Sequence, residues 1–152
     1  MSNIRNTENT VTKPSVLYAK TEADIKRCFG VIKYLRPDYA EQDVVTRVLS
    51  QLEQGYQLVY IESEGQPVYV AGYRFLQSLA WKHFMYVDDL ITAESVRSQG
   101  FGQVMIDYLI QRAIDEGCDE LHLASGVQRF GAHRFYLRNG FDITSHHFAL
   151  NL

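Results

Sequence analysis

The sequence has few of the features that mark a secreted or membrane-spanning protein. Its two cysteines, Cys28 and Cys118, form neither a close pair nor a disulfide framework, which is typical of a reduced, cytoplasmic protein. No stretch approaches the roughly 20 apolar residues of a membrane-spanning helix. Residues 1–14 are polar and lack the apolar centre of a signal peptide. We expect them to form a mobile arm before a single domain at residues 15–152.

An excess of positive charge is also absent. Fifteen Lys and Arg against 18 Asp and Glu give a net charge of −3, so no basic field attracts a nucleic-acid backbone. The five histidines show no Cys/His spacing typical of zinc, and we expect no metal site. His146 and His147 are neighbours on a predicted strand and point apart, which leaves one of them a candidate to line a pocket or act as a base.

Hydrophobic periodicity predicts one α/β (α+β) domain with a mixed central sheet of about six to seven strands flanked by helices. The predicted strands are 16–19, 56–62, 67–75, 83–92, 121–124 and 141–150. The predicted helices are one capped by Thr21 and closed by Pro37, one at 41–54, one at 102–116 and a shorter one that ends at Gly140.

The most informative segment runs from the end of strand 83–92 through a polar loop into helix 102–116. Gly100 and Gly102 let the backbone approach a ligand closely, and the free N–H groups of a helix start bind phosphate. A P-loop needs Lys-Ser or Lys-Thr here, and a Rossmann fingerprint needs glycine where Met105 stands. Two interpretations remain: a pyrophosphate cradle that includes Arg97, or an ordinary glycine-rich turn.

A second motif follows one predicted strand later, with Ala132, Phe135, Tyr136, Gly140 and Phe141 at its fixed positions. Together the two motifs resemble the GNAT N-acetyltransferase superfamily, and the resemblance covers residues 87–141. It implies the acyl-CoA N-acyltransferase fold. It also implies an enzyme that moves an acetyl group from acetyl-CoA, or another short acyl-CoA, to an amine by direct attack in a ternary complex.

The resemblance assigns cofactor contacts to two segments. The strand end at Leu90, Ile91 and Thr92 would hydrogen-bond the pantetheine through its backbone and polarise the thioester carbonyl. Arg129 stands where family members often carry an asparagine that contacts the cofactor, and it either reaches a CoA phosphate or is solvated. The residues implied for the CoA pyrophosphate are Arg97, Ser98, Gln99, Gly100, Phe101, Gly102 and Gln103.

Two catalytic roles follow from the same resemblance. Tyr136 falls on the tyrosine that protonates the departing CoA thiolate; the alternative is a buried tyrosine that anchors the last helix. Asp88 falls on an acidic strand position that assists amine deprotonation in polyamine-acetylating members. Asp89 is adjacent, and strand alternation predicts that at most one of the pair faces the cleft.

The acceptor is expected to be a small-molecule or peptide amine, with polyamines, amino acids, antibiotics, peptide N-termini and protein lysines all left open. Arg74, Tyr34 and the segment 36–38 stand where family members place acceptor-binding residues. A homodimer is a further option. A non-catalytic acyl-CoA sensor on the same fold is the alternative to an enzyme, because fold alone does not fix function.

Overall fold

The computed structural model describes residues 14–152, so the predicted arm lies outside the described residues except for Pro14. A short 3₁₀ helix, Glu94–Val96, precedes the third α-helix. The remaining elements in chain order are β1 (Val16–Tyr18), α1 (Glu22–Ile32), α2 (Glu41–Leu52), β2 (Gln57–Ser63), β3 (Gln66–Ser78), β4 (Lys82–Thr92), α3 (Phe101–Asp115), β5 (Glu120–Leu123) and α4 (Phe130–Arg138).

These elements form one mixed sheet in the order β1-β2-β3-β4-β5. The pairs from β1 to β4 are antiparallel, whereas β4 and β5 are parallel. A parallel pair needs a long crossover connection, and α3 provides it. The predicted α/β fold class is therefore confirmed.

Local sequence signals explain several element boundaries. Thr21 caps α1 because its hydroxyl accepts from the Asp24 N–H at 3.2 Å, while the Asp24 carboxylate accepts from the Thr21 N–H at 3.0 Å. Glu64 and Gly65 form the two-residue turn between β2 and β3. Both have positive φ angles, 52° and 74°, as a type I′ hairpin turn requires.

The sheet is buried on both faces. Alternation along β2 sends Leu58 and Tyr60 into one apolar cluster with α1 and α2, and Val59 and Ile61 into another with α3. Met105 of α3 is fully buried in the second cluster. The sheet therefore lies between two helical layers, α1 and α2 on one face and α3 on the other.

The predicted last strand at 141–150 does not form. Residues 141–152 contain no helix or strand, and Ile143, Phe148 and Leu150 are 72%, 89% and 84% exposed. The described residues thus form five strands, fewer than the expected six to seven. The apolar and aromatic residues give this segment a propensity for strand, but a strand also needs a hydrogen-bonding neighbour, and the segment pairs with none of the described strands.

Between residues 14 and 152, no helix is long and apolar enough to cross a membrane. In the same range, no three His, Cys, Asp or Glu side chains are grouped as metal ligands. Cys28 and Cys118 are free thiols, and burial raises the pKa of Cys28 to about 12. Cys28 is therefore a packing residue of the core and not a reactive thiolate.

Candidate active site

A β-bulge interrupts the pairing of β3 and β4. Gly72 pairs with Asp89 and Tyr73 pairs with Val87, which leaves Asp88 as an extra residue with no partner on β3. Such an insertion breaks the strict alternation of a strand. Both aspartates consequently line the same cavity. The prediction that at most one of them faces the cleft is wrong, because alternation holds only where pairing is regular.

The cavity lies between the sheet and the layer of α1 and α2, with a volume of about 270 Å³. That is close to the lower end of small-molecule sites, roughly 300–1,000 Å³. Its floor is apolar and its rim is polar. The apolar lining residues are Ile32, Val44, Val48, Leu58, Val70 and Ile91; the polar ones are Arg36, Tyr39, Arg47, Gln51, Tyr56, Asp88 and Asp89.

Asp89 is held through both of its carboxylate oxygens. The Tyr56 hydroxyl donates to Oδ2 at 2.8 Å, and Arg36 Nη2 donates to Oδ1 at 2.9 Å. Burial, and then the neighbouring Asp89 charge, raise the pKa of Tyr56 well above its usual value, so its hydroxyl remains a donor. Both Asp89 oxygens therefore already accept a hydrogen bond from the protein.

Asp88 is held through only one oxygen. Arg74 Nε donates to Oδ2 at 2.9 Å, and Arg74 is itself fixed by Gln51 Oε1 at 3.1 Å and by the Tyr56 ring 5.4 Å away. The other oxygen, Oδ1, accepts no hydrogen bond from any residue in 14–152. Burial raises the pKa of Asp88, and the Arg74 guanidinium opposes that rise. A carboxylate of this kind can accept a proton or bind an ammonium group.

The structure distributes the predicted acceptor residues differently from expectation. Arg36 and Arg74 bind the two aspartates. Tyr34 is half exposed and does not line the cavity, and His146 and His147 lie on the exposed C-terminal segment, away from the cavity. No local pattern indicated the role of Tyr56, because its partner Asp89 is 33 residues away in the chain.

The sheet opens at the two aspartates. β5 pairs with β4 only as far as Val87, whereas β4 continues to Thr92 with β3 as its one neighbour. Backbone groups of residues 90–92 that point away from β3 therefore have no strand partner in the described part of the chain. The side chains are used for packing: Leu90 packs against the α3 cluster, and Ile91 is buried in the α1–α2 cluster.

The loop after β4 ends in a row of free amides. The backbone N–H groups of residues 100–103 have no hydrogen-bond acceptor among the residues described. Gly100 caps α3 with a φ of 87°, a left-handed conformation that favours glycine, and a β-carbon there would meet no atom within 4 Å. Four free donors beside open space fit a pyrophosphate group.

Side chains of the loop contribute unequally. Arg97 is exposed and lies 3.5 Å from Glu94 Oε1, and Ser98 has a positive φ of 66°. Gln103 Nε2 donates to Asp107 at 2.8 Å and to Asn139 at 2.7 Å, so this side chain links α3 to α4. The Gln103 side-chain nitrogen is therefore engaged within the protein, whereas the Arg97 guanidinium is exposed.

Tyr136 is buried on α4, with Phe135 and Phe141 rings 5.8 and 5.9 Å from its own. Its hydroxyl makes no hydrogen bond to a residue in the described range. Burial raises its pKa, and the positive charge of Arg129 opposes that rise. The phenol is therefore a protonated, unpaired donor at neutral pH.

Ser125 was not anticipated from the sequence. It follows the end of β5 by two residues, and its Oγ is buried with no hydrogen-bond partner among residues 14–152. A buried hydroxyl without a partner costs about 1–3 kcal/mol, so a bound molecule or water that satisfies it is favoured. Ser125 comes after the last β4–β5 pair, so this unpaired hydroxyl follows the point in the chain where β4 and β5 separate.

Comparison with known proteins agrees with this architecture. The model of the acetyltransferase (GNAT) family matches residues 20–141. An uncharacterized N-acetyltransferase, YhdJ of Bacillus subtilis (strain 168), is 40% identical over 65 residues, which are 42% of this chain and 46% of that protein. The alignment thus spans less than half of either protein.

Two solved structures share the fold. A transcriptional regulator from Bacillus halodurans C-125 superposes with a TM-score of 0.80 at 20% identity, covering 91% of this chain and 99% of the other. AAC(6')-Iy, in complex with the bisubstrate analog CoA-S-monomethyl-acetylneamine, superposes with a TM-score of 0.76 at 13% identity, covering 91% and 97%. Because the family model matches residues 20–141, which are most of this chain, the chain belongs to the GNAT acetyltransferase family, whose members use acetyl-CoA.

Proposed function

We propose that this chain is an acetyl-CoA-dependent N-acetyltransferase for a small amine bound in the cavity of Asp88 and Asp89. The observation that carries the proposal is the continuity along β4. The two carboxylates lie on the strand immediately before the unpaired backbone of 90–92, and the free amides of 100–103 follow in the next loop. Acceptor and donor sites therefore share one strand end.

The acetyl-CoA site is made of groups that match the parts of the cofactor. The amides of 100–103 and the Arg97 guanidinium bind the pyrophosphate, with Ser98 and Gln99 shaping the loop between them. The unpaired backbone groups of Ile91 and Thr92 hydrogen-bond the pantetheine amides, as they would hydrogen-bond a neighbouring strand. Bound acetyl-CoA, or another short acyl-CoA, supplies an activated thioester.

The chemical step uses two proton-transfer groups. Asp88, through its free oxygen, accepts a proton from the acceptor ammonium, directly or through water, so that the neutral amine attacks the carbonyl carbon. A C–N bond forms, the attacking nitrogen releases its second proton to water, and the C–S bond breaks. Tyr136 donates its phenolic proton to the departing sulfur and regains a proton from solvent. Arg74 and Arg36 keep the two carboxylates in place throughout.

The test is a panel of amines assayed with acetyl-CoA for release of free CoA thiol, with the acetylated product identified by mass spectrometry. Turnover of at least one amine that is lost in the double variant Asp88→Asn/Tyr136→Phe would support the proposal. Calorimetric CoA binding without turnover of any amine would instead favour an acyl-CoA sensor on the same fold.

We further propose that the chain forms a homodimer through residues 141–152. This segment carries exposed Ile143, Phe148 and Leu150, and among the described strands β5 has a neighbour on one side alone. An edge strand with unpaired N–H and C=O groups accepts an added strand, and the segment has the residue types of one. A second copy offers the same segment and the same edge, so the exchange closes on itself.

A further inference from the structure

We infer that the acceptor is a small zwitterion, an amine that also carries a carboxylate, and that Arg47 binds this carboxylate. The inference rests on the proposed function and narrows it. It identifies an amino acid-like molecule with an apolar body as the class of acceptor. The argument uses the charges of the cavity, the setting of Arg47, and the apolar floor between them.

The charged groups at the cavity pair off and leave one cation over. Asp88 is neutralised by Arg74 at 2.9 Å, and Asp89 by Arg36 at 2.9 Å. Arg47 lines the same cavity, and no Asp or Glu of residues 14–152 lies within 4.0 Å of its guanidinium. An acceptor with an ammonium group alone would add to this positive charge, whereas a zwitterion brings its own counter-ion.

Arg47 is held in a suitable position. It lies on α2 between Val44 and Val48, both of which are buried at the cavity floor. Its guanidinium stacks over the Tyr39 ring, 4.8 Å from the centroid, which restricts its motion. A guanidinium presents a planar fork of N–H donors that matches a carboxylate in two-point contact. Arg47 is thus a preoriented but exposed cation at the rim.

The apolar floor of the cavity indicates which kind of body the acceptor carries between its amine and its carboxylate. Apolar side chains from α1, α2 and the sheet separate the polar groups, so a body without charges fits there. The volume of about 270 Å³ fits a small molecule the size of an amino acid. A polyamine fits poorly, because its second cation would face Arg47.

The decisive comparison uses probes that differ in one group. Leucine, leucinamide and 3-methylbutylamine share an apolar body and an amine, and only leucine has a carboxylate. Equivalent sets built on alanine and phenylalanine vary the body. For the best body we expect kcat/KM of the acid to exceed that of its amide by roughly ten- to a hundredfold, the range for a hydrogen bond to a charged group. Arg47→Gln should bring this ratio close to one, and Arg47→Lys should restore part of it.

A matched control is Lys33→Gln, which removes one positive charge from the same layer at an exposed residue outside the cavity lining. It should keep the wild-type ratio. If the wild type acetylates amides or simple amines with the same kcat/KM as the acids, this inference is overturned and the acetyltransferase proposal is unaffected. An unchanged ratio in Arg47→Gln would remove Arg47 from recognition.

Calorimetry of each probe with the CoA-loaded protein gives a readout that does not depend on turnover. Tighter binding of the acid than of its amide, lost in Arg47→Gln, supports the inference even if no probe is acetylated. Equal or weaker binding of every acid overturns it. Failure of the whole amine panel in the thiol-release assay, with carboxylate-dependent binding intact, would count against catalysis only.

Discussion

The hydroxyl of Tyr56 lies over Gly72, so closely that a β-carbon on Gly72 would come within 1.7 Å of the hydroxyl oxygen. Gly72 is also the residue that pairs with Asp89 at the β-bulge. The space left by this glycine lets the hydroxyl reach Asp89 Oδ2 at 2.8 Å. A single missing side chain thus leaves the room for the hydrogen bond that holds a cavity carboxylate.

Gly72→Ala should therefore damage the acceptor site. The added methyl group overlaps Tyr56, and an overpacked core costs typically about 1–3 kcal/mol of unfolding free energy. We expect this loss in urea denaturation, together with a raised KM for the acceptor. Gly30→Ala is the control, because Gly30 lies inside α1 with nothing within 4 Å of its missing β-carbon. It should stabilise the protein by up to about 1 kcal/mol. Equal stability of the two variants would contradict the steric argument.

Gly100→Ala should weaken binding of CoA. The substitution puts a β-carbon above the free amides, and alanine in the left-handed region costs about 1–2 kcal/mol. Gly117→Ala is matched to it, since Gly117 has a φ of 75° and equally open surroundings at the other end of α3. Both variants should lose similar stability, and calorimetry should show weaker CoA binding only for Gly100→Ala. Gly102→Ala is a milder change, because its β-carbon would face Phe135 and Tyr69 at 3.5 and 3.7 Å.

Asp88→Asn should change the pH profile of kcat/KM. Burial raises the pKa of Asp88 above the ordinary value of about 3.9, so the wild-type rate should rise with pH as this group ionises and then level off. Without the carboxylate, the rate should depend on free amine in solution. It should fall roughly a hundredfold near neutrality and recover at alkaline pH. The exposed Asp142→Asn serves as the control, and an unchanged profile in Asp88→Asn would assign proton removal to water.

Tyr136→Phe should reduce turnover by roughly ten- to a thousandfold and leave CoA affinity almost unchanged. The phenylalanine ring keeps its packing with Phe135 and Phe141, so thermal stability should stay near that of the wild type. Tyr108→Phe provides the opposite pattern, since the Tyr108 hydroxyl donates to Tyr18 at 2.7 Å. That variant should lose about 1 kcal/mol of stability with normal turnover. Normal turnover in Tyr136→Phe would leave this tyrosine as an anchor of α4.

Removal of residues 141–152 should convert a dimer into a monomer. We expect light scattering after size-exclusion chromatography to give twice the chain mass for the full chain and the single mass for the truncated one. Phe148→Ser/Leu150→Ser is a subtler version that keeps the chain length and should weaken the dimer. A monomeric full chain with amide exchange protection across 141–152 would mean that the segment pairs within its own chain.

Much of the fold could be predicted from local signals. The capping residues at Thr21 and Asp24, the turn at Glu64 and Gly65, and the apolar period of α3 each act within a few residues. The same holds for the loop that ends at Gly100, where a short motif and a helix start suffice to place four free amides. The cavity could not be predicted in this way, because the partners of Asp88 and Asp89 come from three distant places: the loop after α1, the residue before β2, and β3.

Periodicity, caps and short motifs depend on neighbouring residues, so they were enough to predict the order of elements from β1 to α4, the membership of an acetyl-CoA-using family and the loop that follows β4. That Asp88 and Asp89 share a cavity could be seen only in the folded chain, because a bulge in β4 depends on its pairing with Gly72. The exposure of residues 142–152 is also a long-range property, since a strand forms only where another strand offers its hydrogen bonds. Long-range pairing, and not local propensity, set these features.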